Sequence, residues 1–494
     1  MNNNCSNIFA NPITHIVFNT ILHGYIDLFR WLMPPPIMIG IINDSTKKAF
    51  YSFAIESNSL DILRYMIENE FRPEERALCC AAECGDLDQL KWFKQQLVKI
   101  DREWTSHTFC SAVKRGDQHI LDWLLSNGCS FDANACAIAA EYGRLDILQW
   151  LRSIGCPWDP TVCAAAAKGG QFDILKWLHE NECPWDAQSC EGAAKAGRLD
   201  ILKYLRENGC PWHYNTYVYS AEHGRIDIIK WLREQGCPHW DTRLCTTAVG
   251  YGHFELLKWL RENNCPWNPQ TCAAAAEQDQ FEILKWAHDN GCPWNDQACD
   301  GAARNGHLDV LKYLHENGCP WTAWTCSHAA YSGHFEVLKY LHENGCPWDT
   351  RVCTNAAANN HLEILKWLRE NGCNWNEAAC VNAAYCGHFG VLKWLHENGC
   401  PWDETVAEAA AKKGHLTILK YLYENGCPWD KKAAEGAAEN GHLTILKYLY
   451  ENGCEFDLEK AFKLATYSNR IGVMEWIDTV LCDTTDSVSD DDDS

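Results

Sequence analysis

Apolar and polar positions follow one repeating pattern along most of the chain. A stretch such as Phe172-Asp173-Ile174-Leu175-Lys176-Trp177-Leu178 returns again and again with the same order of residue types. Wound at 100° per residue, its apolar positions cover well over half the circumference. Only Asp173, Lys176 and Glu180 form a narrow polar strip, so the pattern predicts a helix packed on several sides. A second, alanine-rich element precedes it. Cys163, Ala166 and Ala167 share one face at i, i+3, i+4 spacing, and alanine both favours helix and lets a neighbouring backbone come close. Asp159 suits the N-cap and Pro160 the first helical position, while Gly169-Gly170 ends the element. Asn-Gly closes the second helix in most copies, and the proline after the following cysteine prevents its continuation. No segment alternates with period two, so no sheet is expected.

The helix pair is the unit of an array. The cysteine that closes each copy stands at Cys156, Cys183, Cys210, Cys237, Cys265 and onward to Cys454, in steps of 27 residues with one step of 28 after Cys237. The turn between the two helices falls at Gly143, Gly170, Gly197 and so on, with Asp279 and Asn360 replacing glycine in two copies. Looser copies begin at Gly24, Asn58, Gly85 and Gly116, and a last one at Asn469, giving 17 units in all. One pair cannot bury its own apolar surface, whereas stacking on neighbours makes a continuous core. The expected fold is all-α, a curved solenoid of stacked helix–turn–helix repeats on the order of 150 Å along its contour. Residues 1–47 and 455–482 read as degenerate caps around an array spanning 48–454, and residues 483–494 as a disordered acidic tail.

Composition narrows the function. A chain of 494 residues, 47% apolar and 22% charged, has a folding composition but exceeds one ordinary core. Its formal net charge of −23 argues against nucleic acid and anionic membrane surfaces as partners. The N-terminus shows no basic stretch followed by an apolar run, and no 18-residue apolar run occurs. The 29 cysteines form an odd number in a long chain without an export signal, which points to reduced thiols and a cytoplasmic location.

Four residue ladders invite a chemical reading, and each has a packing reading. Trp158, Trp185, Trp212 and their successors to Trp429 recur once per repeat and read as a packing spine. The lysines from Lys176 to Lys447 are flanked by acids at helical spacing, as Asp173 and Glu180 flank Lys176, and read as a solvated outer face. Histidines follow the turn at His253, His307, His334, His361, His388, His415 and His442. A second set, His179, His288, His315, His342 and His396, lies eight residues further on where both occur, which is not metal-ligand spacing. The cysteines read as small buried apolar groups, with a bond between neighbours such as Cys183 and Cys190 left open. No phosphate-cradling loop, nucleophile elbow or zinc-protease motif is present. No enzyme activity, cofactor or metal is expected.

The unit resembles an ankyrin repeat. Ala166-Ala167 take that family's paired alanines and Gly170 its turn glycine. Ile174-Leu175 and Trp177-Leu178 take the apolar pairs of the second helix, Cys163 a buried leucine, and Cys183 the alanine after the closing glycine. Thr161 matches the threonine of the family's Thr-Pro pair, but Val162 replaces the proline. The family period is about 33 residues. The shortfall here lies where ankyrin repeats carry a β-hairpin finger, reduced in this chain to Cys-Pro-Trp-Asp or -Asn. This shortened form is similar to ankyrin-rich proteins of giant DNA viruses and some protists. The resemblance implies a monomeric protein-interaction scaffold that binds client proteins through a concave face, in the host cytosol if viral. Asn11 to Phe18 resembles the opening of an F-box, which implies an alternative role as substrate adaptor of a ubiquitin ligase. A structural component of a particle is a third reading. Ser487 and Ser489, each with an acid three residues on, resemble acidophilic kinase sites.

Outward positions of the first helix are small or polar in most copies. The copy from Trp212 to Gly224 differs, reading His213-Tyr214-Asn215-Thr216-Tyr217-Val218-Tyr219, and the next loop carries the extra residue His239. Tyr217 takes the usual cysteine position and is expected in the core. Tyr214 and Tyr219, with Tyr251 at the next turn, are expected outward as anchors for a protein partner, because tyrosine is enriched at binding hot spots. Similar outward residues are His328, Tyr331, Asn355, Asn382 and Tyr385.

Overall fold

Many repeats begin with an extended aspartate whose side chain caps a helix. In the computed structural model the Asp159 carboxylate accepts from the Thr161 amide at 2.9 Å, and the helix Pro160–Lys168 starts there with proline in its first turn. Asp132, Asp186, Asp241, Asp349, Asp403 and Asp430 cap the equivalent helices in the same way. A tight turn at Gly170, φ +69°, leads into the second helix Phe172–Glu180. Of the Gly169-Gly170 pair only Gly170 is left-handed. Gly169 is helical, φ −74°, and is glycine for another reason: a Cβ there would lie 2.0 Å from the Glu141 carbonyl oxygen of the preceding repeat. Backbones of successive first helices thus approach as closely as their alanines allow.

The structure describes residues 104–486 except 238 and 239. Upstream it describes 17, 20–21, 23, 25–33, 49–50, 54–55, 57, 59–68, 75–84 and 87–99. Two units result, Met1–Trp240 and Asp241–Ser494. In the first, regular pairs run from Glu75–Cys84 with Leu87–Lys99 to Asn215–Glu222 with Ile226–Glu234. In the second they run from Thr242–Gly250 with Phe254–Glu262 to Leu458–Tyr467 with Ile471–Asp486. Among the described residues every regular element is a helix, so the architecture is an all-α stack of helix pairs without hairpin fingers. Within each unit the first helices lie side by side. The core beneath them repeats: Val162, Cys163, Ala166, Ala167, Ile174, Leu175 and Leu178 are buried in one copy, and their counterparts in the next. The final helix extends through Asp486, into the stretch read from sequence as tail. Residues 487–494, with Ser487 and Ser489, lie outside the described residues, as do His239 and Asn11 to Ile16.

The ladders have structural explanations. Each loop tryptophan is half-buried and meets two rings or charges at fixed register. Trp185 stacks on His179 at 4.0 Å, with an interplanar angle of 10°, and meets Tyr204 edge-on at 6.4 Å. Trp212 has the Arg206 guanidinium 3.8 Å above it and Trp231 edge-on at 6.0 Å. The residue six before each tryptophan is His, Arg or Tyr, and all three present a flat face. The second histidine set therefore packs on tryptophan, four of them stacked and His396 edge-on. The turn histidines reach back to the preceding repeat: His361 Nε2 lies 3.1 Å from the Tyr331 carbonyl oxygen and His388 Nε2 3.0 Å from that of Ala358. The lysines pair along their own helix, as Lys258 does with Glu255 at 2.9 Å and Lys366 with Glu363 at 2.8 Å.

Candidate functional site

The outward side of the first helices carries small residues in most repeats, and the exceptions define the candidate surface. In the second unit, the helix Ala323–Ser332 follows a capping box in which Thr322 and Thr325 bond reciprocally. Trp324, His328 and Tyr331 stand at i, i+4, i+7 on that helix, which places them along one face. Trp324 is 51% exposed and Tyr331 52% exposed, among the largest exposed apolar side chains of the described residues. Arg351, from the next first helix, holds its guanidinium 3.9 Å above the Trp324 ring and is fixed there by paired bonds to Asp349. On the other side Thr325 Oγ1 donates to Asp300 Oδ1 at 2.6 Å, and Arg304 Nη2 lies 3.4 Å from His328 Nε2. Burial and then the Arg304 charge push His328 below the ordinary histidine range, against the opposing pull of Asp300. Burial likewise raises the Asp300 carboxyl, though the Thr325 bond and the charge on His328 work the other way. The face is thus two exposed aromatic rings about a half-buried imidazole, edged by two arginines.

The other residues singled out from sequence fall in several places. Tyr331, Tyr385 and Tyr251 are outward, Tyr251 by 59% and Tyr385 by 43%, with Lys413 Nζ 4.4 Å over the Tyr385 ring. Asn355 and Asn382 are half-buried. The Asn355 amide donates to the Ser327 carbonyl at 3.3 Å and that of Asn382 to Ala378 in its own helix at 2.8 Å. Tyr214 and Tyr219, in the first unit, are half-buried. Tyr214 packs on His213 at 4.3 Å between ring centroids, and Tyr219 lies under Lys195 Nζ at 3.7 Å. Tyr217 is buried as expected, 1% exposed, and meets Trp240. Trp324 was missed from the sequence. Its signal was a second tryptophan three residues after the ladder residue Trp321, at a position that is small or polar in most copies.

A second arrangement lies inside the repeats. The loop cysteine turns back under the helix that opens its own repeat: Cys210 Sγ donates to the Asp186 carbonyl at 3.2 Å, and Cys156 Sγ to that of Asp132 at 3.3 Å. There it meets the helix cysteine 20 residues earlier, as Cys190 Sγ meets Cys210 Sγ at 3.8 Å. The neighbours are thus Cys163 with Cys183 and Cys190 with Cys210, and Cys183 does not pair with Cys190. The thiol–thiol hydrogen bond, together with burial, pushes the Cys190 thiol far up. The cysteines from Cys79 to Cys454 are all free thiols. Among the described residues no group of three or more His, Cys, Asp or Glu side chains could hold a metal ion, and no helix is long and apolar enough to cross a membrane.

A family model described as ankyrin repeats, in three copies, matches residues 271–352, 301–379, 353–434 and 380–460. The array is ankyrin-like there. The ankyrin-like stretch contains Trp324, His328, Tyr331, Asn355, Asn382 and Tyr385. No curated protein matches the chain. Among solved structures, the ankyrin repeat domain of human ASB11 is 19% identical, covering 36% of this chain and 96% of its own, with a TM-score of 0.31. The maize pentatricopeptide repeat protein PPR10 is 11% identical, covering 96% of this chain and 95% of its own, with a TM-score of 0.27. In its complex with an 18-nt psaJ RNA element, PPR10 is 12% identical, covering 98% of this chain and 85% of its own, with a TM-score of 0.34.

Proposed function

We propose that the chain is a protein-interaction scaffold and that a client protein docks on the outward side of its first helices. The observation that carries this reading is the Trp324–His328–Tyr331 face, two aromatic side chains each more than half exposed on one helix. An aromatic ring costs solubility when left in water and contributes most when a partner covers it, which is why Trp, Tyr and Arg dominate binding hot spots. Arg351 and Arg304 hold the edges, Asn355 and Tyr385 lie on following first helices, and Asn382 shares a helix with Tyr385. Tyr214 and Tyr219 in the first unit, and Tyr251 in the second, are secondary anchors. The many buried, unbridged thiols support a reducing cytosolic setting.

The test begins with capture of a client by the full chain. Trp324→Ala and Tyr331→Ala should each weaken that client at least thirtyfold, since hot-spot truncations cost about 2 kcal/mol or more. The melting profile should not move, because neither ring is buried. Wild-type affinity in both variants would remove this face from the interface. Binding that instead vanishes on deleting residues 1–47 would favour the ubiquitin-ligase adaptor role.

A further inference from the structure

The loop cysteines have a packing role, since in most repeats the thiol bonds a cap carbonyl and so ties the end of its repeat to the beginning. The helix cysteines have none that the fold requires. At their position Ala407 and Ala434 stand in the repeats closed by Cys427 and Cys454, and Tyr217 stands in the repeat closed by Cys237. All three substitutes are buried there without breaking the array. Where the helix residue is cysteine, it brings a second sulfur against the loop sulfur. The thiol–thiol contact recurs in nine repeats, from Cys136 with Cys156 to Cys380 with Cys400.

We propose that these thiol pairs are sites for a soft monovalent cation, copper(I), one ion held between the two sulfurs of each pair. The separation fits. With metal–sulfur bonds of about 2.3 Å, two sulfurs on one ion lie at most about 4.6 Å apart, and closer when the angle bends. Cys190 and Cys210 already stand at 3.8 Å. A disulfide would have to draw them to about 2.05 Å. The ligand set selects the ion: zinc and iron–sulfur clusters require about four ligands, and no third His, Cys, Asp or Glu joins the described pairs. A d¹⁰ ion satisfied by two thiolates is the class that remains, and soft sulfur ligands favour copper(I) within it.

Binding exchanges two protons for one cation. Both S–H bonds break, two Cu–S bonds form, and a bis-thiolate complex of net charge −1 is left in the core. Two features of the fold offset that charge. The helix cysteine sits in the first turns of its helix, Cys190 being the fourth residue of Ala187–Ala196, where the helix dipole favours an anion. In four of the nine pairs the residue stacked on the loop tryptophan is an arginine. Arg206 is one, and its guanidinium also donates to the Cys210 carbonyl. Arg152, Arg261 and Arg369 stand likewise beside the pairs closed by Cys156, Cys265 and Cys373. The other five pairs have histidine in that place. The arginine-backed pairs should therefore hold the anionic complex more tightly than the histidine-backed ones. Entry takes place by local opening of a repeat.

The experiment titrates the reduced full-length protein with copper(I), without oxygen, against a chromogenic copper(I) chelator. Nine equivalents should be held, about four of them in a tighter class, with two protons released per ion and sulfur as the copper neighbour in X-ray absorption. Cys190→Ala should remove one tight equivalent and leave the circular dichroism unchanged, as alanine is native at two such positions. Alanine at all nine helix positions should abolish the tight uptake, although most of the 29 cysteines remain. Uptake that merely follows the number of thiols, persists in the nine-fold variant, or shows no break between tighter and weaker classes would overturn the proposal in whole or, for the last outcome, in its assignment of the arginines.

Discussion

Left-handed backbone at single residues shows how tightly the repeat constrains its turns. Most copies end the second helix with glycine at φ near +80°, as Gly209, Gly291 and Gly318 do. Glu182 takes that place at φ +59°, a conformation that costs a non-glycine residue on the order of 1 kcal/mol or more. Glutamate lacks the short polar side chain with which Asn264 eases the same strain. Glu182→Gly should therefore raise the melting temperature, by an amount corresponding to about 1 kcal/mol. A lower melting temperature would show that the glutamate side chain contributes more than its backbone costs. The inverse case is Gly169, where the Glu141 carbonyl leaves no room for a methyl group. Gly169→Ala should destabilise the array by more than a typical helix-interior alanine gains, about 1 kcal/mol. Thermal melting of both variants tests the pair.

The helix pair is where the sequence was most informative and where its silences are easiest to explain. Cap aspartates, alanine faces and the broad apolar side of the second helix are local signals, and each lies where its spacing placed it, Asp159 capping Pro160–Lys168 being one case. What spacing does not carry is which residues of different repeats touch. Nothing in the sequence alone pairs Cys163 with Cys183 and not Cys183 with Cys190, because both separations lie within one turn of the stack. The turn histidine is a similar case. It bonds a carbonyl 30 residues earlier, near the end of the preceding first helix, and so satisfies a group the helix leaves unpaired. Gln171 does the same to Glu141 at 3.4 Å and Arg470 to Glu439 at 3.1 Å, so the need is for a donor of sufficient reach, not for imidazole. His388→Ala should cost about 1 kcal/mol, and His388→Gln should recover much of it. Equal losses in the two variants, read from urea or thermal unfolding, would assign the histidine a packing role alone.

At the scale of the whole molecule, a stack of near-identical pairs should be modular, its stability close to a sum of repeat and neighbour terms. The face around Trp324 breaks that uniformity, because it belongs to one repeat and to the neighbours that supply Arg304 and Arg351. Removing residues 322–348 takes out one 27-residue period and joins Trp321 to Asp349, which restores the Cys-Pro-Trp-Asp sequence found at other junctions. Asp349 then caps its helix from the position Thr322 held, and the packing alanines of neighbouring first helices stay in register. The shortened chain should keep its helicity per residue and melt within a few degrees of the parent, yet lose its client. Removing an equivalent period from 187 to 213 should spare the client bound through Trp324, while deleting the Cys190–Cys210 thiol pair and its single copper equivalent. A shortened chain that fails to fold would contradict modularity. One that folds and still binds its client would place the interface on the features all repeats share, and not on the aromatic face that sets this repeat apart.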